Sequence, residues 1–361
     1  MYCSACQKSM VYGRCEECGQ KCIQKYFCRL CGDLDKESCR HGNANPYKMQ
    51  DIDISYYFTK AMERLHENVY PDLIKGIRGT SNKEHVVEHL AKGILRAKHG
   101  IYVNKEGTTR YDCTELPITH FKAKEIGTSI EKLKELGYFL DISGQELVDT
   151  NQVLELKPQD LILPGFGSLE ESASKVLHKV ANFIDNLLVN FYGLEPYYNI
   201  SKEEDLVGQL VIGLAPHISA GLVGRIIGFS ETQGLFTHPM YHAGLRRDCD
   251  GDEAAVMLLM DALLNFSRKF LPNTRGSTMD AALVLTSYLN PTEIDDQVHG
   301  MDTVWKYPLE FYDAAMQMKN PWDVKHGEKQ EKIEQLNNRL GTPAQYEGWG
   351  YTHPVDNINH G

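Results

Sequence analysis

Six consecutive residues, Asp248-Cys249-Asp250-Gly251-Asp252-Glu253, follow directly on the pair Arg246-Arg247 and hold the side chains best suited to chemistry. Three aspartates alternate with small residues, and Gly251 lets the backbone fold back, so the carboxylates cannot all point apart. Anions crowded in this way are costly unless a cation sits among them. Hard oxygen donors favour Mg²⁺ or Mn²⁺, and carboxylate-held Mg²⁺ is the usual companion of phosphate groups. The motif reads as a site for phosphoryl or nucleotidyl transfer.

Two plainer readings compete with it. An EF-hand loop also opens with alternating aspartates, but it requires glycine at its sixth position and a bidentate glutamate at its twelfth. Here the glycine is fourth, the sixth residue is Glu253 and the twelfth is Leu259. The other reading is a solvated acidic turn. Against it, the acids run straight into Ala254-Ala255-Val256-Met257-Leu258-Leu259-Met260, a strongly apolar run that must be buried. A metal site explains acids set flush against a core segment better than solvation does.

The acids are expected on a loop between a strand and a helix spanning 253–270. Upstream, glycine-interrupted apolar runs at 206–215 and 221–229 predict strands, and glycine inside strands predicts a small, tightly coiled barrel with close backbone approaches. Further strands are predicted at 101–103, 108–113, 154–156, 161–163 and 283–286. Helices are predicted at 52–65, at 125–136 with its end set by Gly137, at 168–191 and at 325–340. Ser168 and Glu171 make a capping box for the third of these, a packing helix. Basic residues cluster at Lys92, Arg96, Lys98 and His99, as a solvated helix face or as a surface that tracks phosphates.

Eight of the ten cysteines lie in the first 39 residues. Cys3-x-x-Cys6 and Cys15-x-x-Cys18 are spaced as two knuckles that close a tetrahedral thiolate site for Zn²⁺. A second site begins with Cys28-x-x-Cys31. Cys39 and His41 are preferred as its remaining ligands, with Cys22 the competitor, or else a free thiol packed under the ribbons. A segment this short has too little core to fold unaided, so metal is expected to supply much of its stability. A redox Cys-x-x-Cys pair would need a βαβ context that is not visible here. Cys113 is expected in the core.

The chain of 361 residues is long enough for two or three domains, and its 42% hydrophobic and 24% charged residues are those of an ordinary globular protein. No apolar run approaches a membrane span, and the N-terminus is cysteine-rich rather than a signal peptide, so no membrane partner and a cytoplasmic location are expected. A net charge of −11 argues against coating nucleic acid by bulk charge, but leaves room for a local basic channel.

The segment from His238-Pro239-Met240-Tyr241-His242-Ala243-Gly244-Leu245 through Arg246 to Glu253 resembles the catalytic segment of the large subunit of archaeal family D DNA polymerase. Other stretches resemble the same family, in order along the chain. They include Lys92-Gly93-Ile94-Leu95-Arg96-Ala97-Lys98-His99, Pro117-Ile118-Thr119-His120-Phe121, Leu156-Lys157-Pro158-Gln159-Asp160, Ala215-Pro216-His217-Ile218-Ser219-Ala220-Gly221, Val223-Gly224-Arg225-Ile226-Ile227-Gly228 and Pro308-Leu309-Glu310-Phe311-Tyr312.

The resemblance implies an α+β fold: zinc ribbons over 1–45, a double-psi β-barrel catalytic domain over 46–256 with a helical insertion near 168–193, and an incomplete helical or mixed region over 257–361. It implies replicative DNA synthesis by two-metal nucleotidyl transfer, with Asp250 and Asp252 as the metal-binding pair. Position 248 is usually asparagine in that family, so Asp248 is a departure. Arg246, Arg247, Arg225 and Lys98 become candidate phosphate or DNA contacts, although either arginine of the pair could equally serve only to neutralise the acids. His242 reads as a core histidine or a group behind the acids, and His217 and Ser219 are weaker candidates.

The implied partners are primer–template DNA, dNTPs, the remaining N-terminal part of the large subunit, a small 3′–5′ exonuclease subunit and, for the full assembly, a sliding clamp. The family's first barrel and C-terminal elements have no counterpart here, so a fragment or a split-gene product is expected, inactive by itself. Rival readings are a non-catalytic zinc-ribbon docking fragment and, given the three aspartates, an RNA polymerase relative.

Overall fold

The computed structural model of the chain describes residues 1–76, 87–165, 171–216, 218, 220–266, 283–294, 296–302, 304, 307–328, 330–335 and 357–360. They belong to two compact units, each assembled from separate stretches. The first takes 1–110, 179–200 and 260–282, and the second takes 111–178, 201–259 and 283–361.

The N-terminal cysteines sit on three short antiparallel hairpins. These are β1 (Tyr2–Cys3) with β2 (Lys8–Ser9), β3 (Tyr26–Cys28) with β4 (Gly32–Leu34), and β5 (Ser38–Cys39) with β6 (Gly42–Asn43). Helix α1 (Ile54–Leu65) starts two residues later than expected because Asp53 caps it, its carboxylate accepting the Tyr56 N–H. The Tyr57 hydroxyl accepts the Val11 N–H at 3.2 Å, so α1 is bonded to the first ribbon. Helix α2 (Leu90–Lys98) is capped by His89, whose Nδ1 accepts the Ala91 N–H while Nε2 lies 3.0 Å from Glu16. Arg96, 1% exposed, forms a two-pronged pair with Glu88 and donates to the carbonyls of Lys75 and Gly107. A buried guanidinium needs that complete a set of partners.

In the second unit come β7 (Tyr111–Pro117), β8 (His120–Lys122), α3 (Ile130–Glu135), β9 (Val153–Glu155) and β10 (Asp160–Pro164). Helix α4 (Ala173–Asn186), which belongs to the first unit from residue 179 onward, continues as a wider π-helical turn over Leu187–Tyr192, ended by left-handed Gly193. Then follow β11 (Leu210–Leu214), β12 (Ala220–Ser230), β13 (Gly234–Thr237), α5 (Pro239–Gly244), β14 (Glu253–Leu258), α6 (Leu259–Asn265) in the first unit, β15 (Val284–Thr286) and α7 (Leu309–Met316).

Six strands close a mixed barrel in the order β10-β13-β7-β14-β11-β12 and back to β10, and β15 extends the other half of the β10-facing edge of β12. The β12–β10 and β13–β7 pairs are parallel and the other four are antiparallel. The strand glycines do what their placement suggested. A Cβ on Gly224 would fall 2.0 Å from Leu161 Cδ1 and 2.8 Å from the Tyr241 hydroxyl, and one on Gly213 would fall 2.6 Å from that same hydroxyl. Tyr241, fully buried, donates to the Leu222 carbonyl at 2.8 Å and occupies the space these glycines leave.

Several local expectations are corrected. Residues 253–258 are strand β14, not the start of a helix to 270; among the described residues of that range 259–265 are helical, and 267–270 lie outside the described residues. A strand buried on both faces reads as a continuous apolar run, which periodicity cannot separate from a buried helix. The strand expected at 101–103 is irregular backbone before a turn in which the Asn104 N–H donates to the Thr108 carbonyl. The helix expected at 125–136 splits into a 3-10 turn at Ala123–Glu125 and α3, because Gly127 is left-handed and Ser129 caps afresh; Gly137 does end it. The described residues of 325–335 form a turn with a His326–Glu331 bridge instead of a helix. Ser168, His217, Ser219 and 336–340 lie outside the described residues. Among the described residues no helix is long and apolar enough to cross a membrane.

Candidate active site and metal centres

The acidic loop runs from the C-terminus of α5 to the start of β14. Helix α5 is set by Pro239 in its first turn and by His238, whose Nδ1 accepts the Met240 N–H at 3.2 Å. It ends in a Schellman motif, with the Arg247 N–H donating to the His242 carbonyl and the Arg246 N–H to that of Ala243. Arg246 therefore takes the left-handed position usually given to glycine, at φ 61°. Cys249 at 65° and Gly251 at 98° have positive φ too, so three of the six residues from 246 to 251 take it. Non-glycine residues in that region carry strain, which tends to persist at functional sites.

Asp248 and Asp250 are exposed, and neither carboxylate has a hydrogen-bonding or ion-pair partner among the described residues. The Asp252 side chain is 45% exposed, with Arg247 3.3 Å from its Oδ2, and Arg246 is exposed at the head of the loop. Cys249 turns inward, its Sγ 3.8 Å from the Pro239 carbonyl. Burial, with Glu115 and the flanking aspartates, raises its thiol well above the usual range.

Beneath the loop lies a residue that the sequence reading missed. Glu115 on β7 is completely buried; its Oε1 accepts the Gly251 N–H at 3.3 Å, and its own N–H donates to the Asp252 carbonyl at 2.9 Å. Its Oε2 is 2.8 Å from His242 Nδ1, and His242 is equally buried. Burial pushes the Glu115 carboxyl up, but His242 and then the Gly251 and Asp252 amides outweigh it and hold the group below its ordinary value. The only sequence signal was an acid inside the strand segment Thr114-Glu115-Leu116, and its inward direction required the strand's phase.

Oxygen donors on an exposed loop suit a hard divalent cation. Among the described residues the three aspartates do not close a cage, since only the two cysteine clusters bring three or more ligand atoms within 4.8 Å of one another. Mg²⁺ typically takes one or two carboxylates and completes its shell with water and substrate phosphates, so an open pair such as Asp250 and Asp252 fits it.

Of the other candidates, Arg225 on β12 is engaged by Asp160, with Nε–Oδ1 at 2.9 Å and Nη2–Oδ2 at 2.7 Å, and it also donates to the Leu136 carbonyl. Lys98, at the end of α2 in the first unit, pairs with Glu67. Cys113 is buried against the Ala254 carbonyl, as core.

The ribbons gather Cys3, Cys6, Cys15 and Cys18 into one cluster, and Cys28, Cys31, Cys39 and His41 into another. Tetrahedral Zn–S bonds of about 2.3 Å put ligand atoms about 3.8 Å apart. Cys3 and Cys18 are separated by 3.5 Å, and His41 Nδ1 lies 3.2 Å from Cys31 and 3.9 Å from both Cys28 and Cys39, so both sets could hold zinc. The Leu30 and Cys31 amides hold the Cys28 thiol down to about 6, while burial and the neighbouring Cys39 and Cys28 push Cys31 up to about 11, the pattern of thiols crowded together. Cys22 is in neither cluster; it packs with Met10 beneath the first.

Residues 66–361 match the family described as DNA polymerase II large subunit DP2, catalytic domain. The chain belongs to that family. The DNA polymerase II large subunit of Archaeoglobus fulgidus is 48% identical over 363 aligned residues, covering 99% of this chain and 31% of the relative. The large subunit of Nanoarchaeum equitans is 45% identical over 402, covering 100% and 32%, and that of Pyrococcus furiosus is 47% identical over 355, covering 95% and 27%. This member of the DP2 family thus spans about a third of the length of the curated relatives it matches. The barrel and its acidic loop fall inside the matched segment, and the two cysteine clusters precede it.

Proposed function

We propose that the acidic loop is the metal-binding half of a replicative DNA polymerase active site that adds a deoxynucleoside monophosphate to a primer 3′-hydroxyl. The observation that carries this reading is a strained loop, clamped at one end of a closed barrel, that displays aspartates with unengaged oxygens in a chain of the DP2 family. Asp250 and Asp252 hold the metal and Asp248 stands beside them. When bound, a pair of Mg²⁺ ions supplies a lowered pKa for the primer hydroxyl and charge stabilisation for the leaving pyrophosphate. Arg246, exposed, meets substrate phosphate. Arg247 neutralises Asp252 until nucleotide arrives and then shares its charge with the triphosphate. The primer oxygen bonds to the α-phosphorus as the bond to pyrophosphate breaks, and the hydroxyl proton passes to water.

The barrel is read as a double-psi barrel within a catalytic domain over 46–256, and the helical stretch near 168–193 as its insertion. The substrates are primer–template DNA and dNTPs. The partners are the rest of the large subunit, the small exonuclease subunit and a sliding clamp for the full assembly. Both cysteine clusters hold structural zinc. The length of the relatives supports a site completed from outside this segment.

The test is primer extension by the completed large subunit with its small subunit. Asp250→Ala and Asp252→Ala should abolish synthesis while the fold is retained by circular dichroism, whereas Asp248→Asn should keep it within roughly threefold of the parent, because the metal needs only one or two protein carboxylates. The purified chain alone should not extend a primer. Wild-type synthesis by either alanine variant sinks the proposal, and a preference for rNTPs over dNTPs would turn it toward RNA synthesis.

A further inference from the structure

The acidic loop is attached to the barrel at both ends through one buried pair. At its start, the Arg247 N–H is held by the carbonyl of His242. At its end, the antiparallel ladder between β7 and β14 runs to Thr114–Glu253 and adds one more rung, the Glu115 N–H to the Asp252 carbonyl. The next rung cannot form, because left-handed Gly251 turns the chain away. There the Glu115 side chain takes over from backbone, accepting the Gly251 N–H. The His242 ring, 2.8 Å from the second carboxylate oxygen, joins the two attachments.

Glu115 shares its strand face with buried Cys113, a position where an apolar residue would cost nothing to desolvate. Desolvating a carboxylate at such a position is costly; Oε1 accepts the Gly251 N–H, while Oε2 faces the His242 ring without an aligned hydrogen bond, so the acid calls for a reason beyond packing.

We propose that Glu115 is the positioning residue of the acidic loop. By holding the Gly251 amide, midway between Asp250 and Asp252, it aims both carboxylates, and His242 fixes the orientation of the Glu115 carboxylate. The inference rests on the reading that Asp250 and Asp252 hold the metal. What matters in it is the reach of an acceptor oxygen to Gly251, not the charge.

Two conservative variants separate these. Glu115→Gln keeps the length and an acceptor oxygen but removes the charge; Glu115→Asp keeps the charge and withdraws the oxygen by one methylene. In the purified chain, Gly251 amide exchange is followed by NMR and Mn²⁺ binding by electron paramagnetic resonance, with thermal unfolding as the check on folding. Glu115→Gln should keep the Gly251 amide protected and bind Mn²⁺ within roughly threefold of the parent. Glu115→Asp should lose the protection and bind about tenfold or more weakly, the usual cost of removing a group that orients a metal ligand. The opposite order, equal binding by both variants, an unprotected Gly251 amide or absent Mn²⁺ binding in the parent would each overturn the inference. Asp250→Ala and Asp252→Ala, run alongside, report on the metal assignment itself. If they leave Mn²⁺ binding unchanged, that assignment fails; if they abolish it while the Glu115 variants do not, only the positioning role fails.

Discussion

Arg246 shows how much local strain the acidic loop retains. It occupies the left-handed position that closes α5, where glycine is the ordinary choice and a side chain costs about 1 kcal/mol. Its side chain is exposed, so packing does not explain it. If phosphate contact is the reason, Arg246→Gly should raise stability by up to about 1 kcal/mol and at the same time raise the KM for dNTP. Thermal unfolding and steady-state primer extension by the completed enzyme check the two halves. A less stable variant contradicts the strain at this position, and unchanged kinetics contradict the phosphate role. The acids and the arginine pair were legible from the sequence because their chemistry is in their types. Glu115 was not, because a single acid in a strand declares nothing until its direction and neighbours are known.

The two cysteine clusters differ as elements. The first is tied into the helices of its unit: Cys3 and Cys15 are fully buried, Tyr57 of α1 bonds Val11, and buried Glu16 lies between Arg64 and the cap of α2. In the second, Cys31 and His41 are exposed, and the described backbone bonds that bound its hairpins include only the pair between Phe27 and Asn45 and the Ala44 N–H to Glu37. On zinc loading, a chelator should therefore release metal in two phases, with about half lost early from the second cluster. A chromophoric zinc-release assay reads the phases, and Cys39→Ser should remove the early one. A single phase, or an early phase that survives this substitution, would contradict the assignment. The spacing of the cysteines made both clusters legible. The structure gathers the preferred pair, Cys39 and His41, and leaves Cys22 packed beneath the first cluster, a choice the spacing favoured and the hairpin geometry decided. Strands β10, β11 and β12 were legible from apolar runs and glycines and β7 in part, but β13 was not anticipated and 253–258 was misread as helix, because a strand buried on both faces has no period to show.

Across the whole molecule, buried histidines set the acid limit of stability. Burial lowers His99 and His120 to about 4 each, Lys98 adding to the effect at His99, and burial with His120 and His242 nearby lowers His238 to about 3. These imidazoles are neutral when folded. Their folded pKa values lie below the ordinary 6.5, so the stability they contribute is complete above pH 6.5 and is lost as pH falls through 6.5 toward 3. Asp261 acts in the opposite sense. Burial raises it to about 6, so it favours the folded state as pH falls from there toward 3.8. Burial raises Glu125 in the same sense as Asp261, whereas Glu16 and Glu115, held below the ordinary carboxyl value, add to the loss from the three histidines, so the net is a loss, with Tm lower by about 10 °C or more at pH 4 than at pH 7. Melting curves at saturating zinc measure it, and His99→Gln should flatten the slope. A flat profile in the parent would mean that these rings are not buried neutral.

The sequence by itself determined the chemistry: which residues can hold hard cations, which can hold zinc, and, through ordered matches along the chain, which family it resembles. Those properties reside in side-chain types and short spacings, which survive without coordinates. Only the tertiary structure decided direction. It closed six strands into one barrel, turned Arg225 to Asp160 and away from a free role, and brought Glu115 and His242 beneath Gly251 from segments more than a hundred residues apart. Long-range pairing and strand phase settle such contacts, and neither is written in any short stretch of residues.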